Sequence, residues 1–139
     1  MKLLKANAGP SLLLLAAMPI VSVAHHSAAM FDLQKTITVT GTVTSFQYTN
    51  PHSWLIILGK GPDGKVQEWS FEADGPSTLM RAGIKVSSVV PGDKITMTTH
   101  PMKDGRPAGT WLTLTKSDGT VLAPRGAPPP GEKAPAPAG

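Results

Sequence analysis

Cysteine is absent from all 139 residues, which removes disulfides, thiolate nucleophiles, thiolate metal ligands and lipid-bearing cysteines from any reading of the chain. A nucleophile elbow, a glycine-rich phosphate loop ahead of a helix and an HExxH run are missing as well, so the familiar hydrolase, nucleotide-binding and metalloprotease signatures are excluded. Long apolar runs are also lacking. Ser11 to Val23 is interrupted by Pro19 and falls short of the roughly 20 residues that a spanning helix needs, so no membrane anchor is expected.

That short run has a different use. Lys2 and Lys5 precede it and Ser22-Val23-Ala24 closes it with small residues, the layout of a secretory signal over residues 1–24, cut between Ala24 and His25. The expected product is periplasmic or secreted. Loss of Lys2 and Lys5, with no acidic residue beside them, takes the formal charge from +4 to +2. From Asp32 to Leu122 nine Lys or Arg face eight Asp or Glu. Such a nearly neutral body is a poor trap for phosphates, so no nucleic-acid partner is expected, although Trp54, Trp69 and Trp111 could offer stacking faces. Trp69 reads inward, whereas Trp111 alternates away from Leu112 and Leu114 and is expected at the surface.

What the chain does contain is alternation broken by turns. Residues 25–35 form an N-terminal segment and residues 36–122 read as one barrel domain. In "TITVTGTVTSFQY", Ile37, Val39 and Val43 share a face, Gly41 marks a bend, and the apolar phase then passes to Phe46 and Tyr48. "SWLIILGK", "VQEWSFEA", "KITMTTHPM" and "GTWLTLTK" read as four further strands, separated by turn signals such as "GPDGK" and "KDGRPA". "DGPSTLMRAG" reads as a short helix with Pro76 at its first position and Gly83 past its end. The expectation is an all-β fold with one short helix, a five-stranded Greek-key barrel of the oligonucleotide/oligosaccharide-binding (OB) type. Residues 123–139 hold six of the 14 prolines and no aliphatic side chain larger than Ala, which reads as a disordered Pro/Ala-rich tail.

The candidate chemistry lies in the histidines. Cleavage at Ala24 would leave His25 with an α-amine and an imidazole on one residue, able to chelate a metal as a pair, with His26 beside it. Nitrogen donors of this kind suit copper(II), nickel or zinc, and copper(II) leads on affinity. His52, in "NPHSW", is the third candidate, held by a turn at the entrance to a strand and sharing a face with Trp54. His100 and Met102 of "MTTHPM" form a secondary candidate pair that would favour copper(I), while Met97 shares parity with Ile95 and reads as core. Each histidine also has a plain structural reading, as a frayed terminus or a turn residue. Glu68 and Glu72 alternate on the outward face of their strand, where solvated charge is the ordinary explanation.

These residues carry a resemblance. Ala24-His25-His26-Ser27, Phe31-Asp32 and Asn50-Pro51-His52-Ser53-Trp54 resemble the marks of a domain-of-unknown-function family of small secreted bacterial proteins. Gly41 with Val43, Trp69 with Glu72, Gly92-Asp93 and Asp104-Gly105 extend the likeness over residues 24 to 122. One departure is Ala28, where the family usually places an aromatic, a residue that could pin the histidines against the barrel. The resemblance implies compartment and domain limits and no activity. A looser analogy, in fold and in the composition of "MTTHPM", is to periplasmic copper chaperones.

The reading that follows is a non-enzymatic periplasmic module binding copper, or another transition metal, through His25, His26 and His52. The alternatives are an interaction module that docks an envelope or secreted protein through the barrel face or the Pro-rich tail, and copper-dependent oxidative chemistry at the N-terminal histidine.

Overall fold

The computed structural model describes residues 26–125, with side chains from Ala28 onward. The expected signal segment 1–24, His25 and residues 126–139 of the tail lie outside the described residues. In chain order the elements are a single helical turn α1 (His26–Ala29), β1 (Ile37–Gln47), β2 (His52–Lys60), β3 (Val66–Asp74), α2 (Pro76–Arg81), β4 (Lys94–Pro101), β5 (Ala108–Lys116) and the two-residue β6 (Val121–Leu122). No helix among the described residues is long and apolar enough to cross a membrane.

β1 is long enough to serve two neighbours. Its residues 37–42 pair with β4 and its residues 40–47 pair with β2, both antiparallel. Gly41 sits where the two ladders overlap, and a Cβ there would collide with the Leu58 carbonyl. The phase change read from the sequence comes three residues later than that glycine. Val43 pairs with Ile57 and Ser45 with Ile56, leaving Thr44 as the extra residue of a bulge. That one-residue slip turns Phe46 and Tyr48 toward the core already lined by Val39 and Val43.

The sheet runs β3-β2-β1-β4-β5-β6 and closes through a parallel pairing of β3 with β5. The result is a closed five-stranded barrel carrying an extra strand, β6, beside β5. Closure removes the exposed edges that an open sheet of this size would present. Inside, Val39, Leu55, Ile57, Phe71, Met97 and Leu114 are fully buried, and Trp69 stacks on Phe71 with ring centroids 6.1 Å apart. α2 starts at Pro76, whose missing N–H costs nothing in a first turn, and drives Leu79 into the core. Tyr48 ties strand to helix, its hydroxyl lying 3.1 Å from the Pro76 carbonyl and 2.9 Å from that of Ile84.

Trp111 corrects the surface expectation: it is 4% exposed and packs in the core against Phe46. The reason is a register break. Thr98 pairs with Thr113 but Thr99 pairs with Trp111, so Leu112 has no partner on β4 and the inward face of β5 changes parity there. The Trp111 indole N–H then donates to the Leu122 carbonyl at 3.2 Å. Packing continues beyond β6, since Ala123 and Pro124 are also buried.

Candidate functional site

Strand alternation places His52 and Trp54 of β2 on the outer face of the barrel, and the pairing register shows what lies beside them. His52 stands opposite Asp74, and Trp54 opposite Glu72. Glu72 in turn stands opposite Thr110 across the parallel seam, and Thr110 opposite His100 on β4. One outer row, Trp54–Glu72–Thr110–His100, thus crosses four strands, and the pair His52–Asp74 lies beside it at the ends of β2 and β3. Three inter-strand steps separate β2 from β4, about 14 Å along the sheet, so the histidines stand on opposite walls of whatever lies between.

What lies between is a cleft of about 300 Å³. His52, Glu72, Asp74, His100, Thr110 and Leu112 line it from the barrel. Ala28, Phe31 and Leu33 line it from the N-terminal side, Pro124 and Arg125 from the C-terminal side. The N-terminal segment is pinned there like a strap. Phe31 is 2% exposed and its backbone bridges to Met102, the Asp32 N–H donates to the Pro101 carbonyl at 2.9 Å, and the Lys103 N–H donates to that of Met30 at 2.9 Å. Phe31 thus anchors the segment that Ala28, with its small side chain, cannot.

Both histidines are oriented through Nδ1. His52 Nδ1 lies 3.0 Å from Glu72 Oε1. A carboxylate accepts, so Nδ1 carries a hydrogen, and in the neutral ring Nε2 keeps its lone pair. His100 Nδ1 lies 2.7 Å from the Lys35 carbonyl, which can only accept, so the same assignment holds. A ring N–H given to a carboxylate or a backbone carbonyl is the arrangement that frees and aims the other nitrogen for a metal. The His52 side chain is 40% exposed, so its ring remains open to a ligand, whereas Glu72 beneath it is 7% exposed.

Glu72 is the site residue that sequence reasoning missed. Alternation placed it outward, correctly, but the chain ends and His52 cover it, so it is not solvated surface charge. Asp74 meets Arg125 at 3.8 Å, with the arginine side chain 88% exposed, a contact that contributes little. Among the described residues the charged groups lining the cleft are the Glu72 and Asp74 carboxylates and the Arg125 guanidinium. Thr110 adds a buried hydroxyl oxygen with no hydrogen-bond partner.

Of the residues singled out in the sequence, His52 and His100 share the cleft, and His26, at the head of α1, lies two residues before the cleft-lining Ala28. Met102 is 8% exposed and its backbone bridges to Phe31, while His100 lines the cleft. Met97 is fully buried, as its parity predicts. Among the described residues no group of three or more His, Asp or Glu side chains stands in metal-holding geometry.

The model of a family of unknown function, DUF6152, matches residues 13–113. No curated protein and no solved structure matches the chain.

Proposed function

Because the chain belongs to DUF6152, a family of unknown function, its role has to be argued from its own site, and we propose that it binds a transition metal, copper first, to buffer or deliver it. On this reading the protein is exported, trimmed after Ala24, and uses the α-amine and imidazole of His25, the imidazole of His26 and Nε2 of His52. His100 faces the same space from the opposite wall.

The observation that carries the proposal is the Nδ1 anchoring of His52 by a buried carboxylate, in a cleft that the N-terminal segment itself lines. His25 immediately precedes α1, whose Ala28 lines the cleft, so on this reading the terminal donors begin three residues from a cleft wall.

Chelator competition with copper(II) tests the proposal on three proteins: the chain beginning at His25, the same chain with one residue added ahead of His25, and His52→Ala. The first is expected to bind and the other two to bind at least tenfold more weakly. No competition by the His25 form, or equal affinity in all three, defeats the proposal.

A further inference from the structure

Beyond the metal reading, which calls on His25, His26 and His52, we infer that the cleft binds a compact neutral alcohol, a phenol or an alicyclic alcohol, whose hydroxyl group bridges Thr110 and His100. The starting observation is the Thr110 hydroxyl, whose oxygen is buried and has no hydrogen-bond partner. A buried polar group left unpaired is costly, and each one in a native structure calls for an explanation. Its neighbours are turned elsewhere. Glu72, across the parallel seam, turns to His52, and His100, across the antiparallel ladder, turns its Nδ1 to the Lys35 carbonyl.

The register sets the two groups side by side. Thr110 and His100 stand directly opposite one another on β5 and β4, where facing Cβ atoms lie about 4.5–5.5 Å apart. In the neutral ring His100 Nε2 can only accept, while the Thr110 hydroxyl can donate. An alcohol meets both at once, its O–H donating to Nε2 and its oxygen accepting from Thr110. A carboxylate has no hydrogen to give Nε2 and would share the cleft with Asp74, and a ketone lacks that hydrogen too. Around the pair the lining turns apolar, with Phe31 and Leu33 on the strap, Leu112 on β5 and Pro124 on the C-terminal side. At about 300 Å³ the cleft lies at the lower limit of small-molecule sites, room for a single ring.

The test uses the protein purified after export and held in EDTA, so that no metal takes part, and follows amide shifts by NMR during titration with phenol, cyclohexanol and toluene. Phenol or cyclohexanol is expected to shift the Thr110 and His100 amides saturably, with a Kd of about 1 mM, within the reach of so small a ligand. A preference for one over the other tells a planar ligand from a saturated one. Toluene, matched in shape to phenol but lacking the hydroxyl group, should bind at least tenfold more weakly. Thr110→Val removes the hydroxyl and keeps the branched shape, so the barrel should fold at least as stably. It should weaken binding of the alcohol about tenfold and leave toluene unchanged.

Equal binding of phenol and toluene, or an alcohol affinity unchanged in Thr110→Val, overturns the inference. So does the lack of any saturable shift in the millimolar range, which would leave water as the partner of the Thr110 hydroxyl. Because metal is excluded throughout, none of these results bears on copper binding, and a failure of copper to bind leaves this inference standing.

Discussion

Replacing Glu72 with Gln removes a charge while keeping nearly the same shape, and so isolates what the carboxylate does for His52. In the native cleft Oε1 lies 3.0 Å from His52 Nδ1 and fixes the hydrogen there. A Gln side chain can offer either its carbonyl or its NH2 group to that nitrogen. When the NH2 faces the ring, His52 must accept at Nδ1 and carry its hydrogen on Nε2, the tautomer that cannot bind an ion. Loss of such an orienting partner typically costs 10- to 100-fold in metal affinity, or about 1.4 to 2.7 kcal/mol.

Stability should move much less. Glu72 is 7% exposed, and the substitution relieves the cost of burying a charge while weakening one hydrogen bond, two terms of opposite sign that leave a net change of about 1 kcal/mol or less. The assay is copper(II) chelator competition beside thermal unfolding, run on Glu72→Gln, His52→Ala and the double variant. If Glu72 acts through His52, it should have no further effect on affinity once His52 is gone. An unchanged affinity in Glu72→Gln with normal unfolding, or a full additional loss in the double variant, would refute the argument.

Two further perturbations probe the frame that holds the site. The Asp93 carboxyl is held below its usual range, chiefly by the Val90 N–H and then by Lys116, whose Nζ lies 3.1 Å away. A depressed carboxyl contributes stability above its unfolded value of about 3.9 and loses it as pH falls through the lower folded value. Asp93→Asn should therefore cost about 1–2 kcal/mol near pH 7 in urea unfolding, a deficit that closes in strong acid; equal deficits at both ends would contradict this. Phe31→Ala should cost about 3 kcal/mol and release the strap. Hydrogen exchange at the Asp32 and Lys103 amides, which bond to Pro101 and Met30, reads that release. Unchanged protection there would show that the strap does not depend on the ring.

The barrel was legible in the sequence because each strand carries its own signal. Val39 and Val43, Trp69 and Phe71, and Ile95 and Met97 alternate within their strands, and Pro76 and Gly83 bracket the helix; no long-range knowledge is needed to read them. Trp111 was not legible, because its direction depends on Leu112 lacking a partner on β4, and a bulge in a pairing leaves no mark on either strand alone. The site divides in the same way. Parity puts His52, Glu72 and His100 on outer faces, but only the parallel closure of β3 on β5 brings Glu72 and His100 into one row, beside His52. The burial of Glu72 depends on chain ends folding over that row, a contact between segments distant in sequence. Ala28 pointed to missing anchorage, and Phe31 supplied it from a position whose role only the bridge to Met102 reveals.

Both ends of the described chain flank the same opening, with Ala28 on one side and Arg125 on the other. Affinity handles and fluorescent fusions joined directly at Ala28 or Arg125 would crowd the mouth of the cleft. The loop between Lys60 and Val66 lies at the far end of β2, eight residues from His52 and about 27 Å away along the strand. A handle inserted at Asp63-Gly64, where Gly64 has open space around it, would leave the opening clear for measurement.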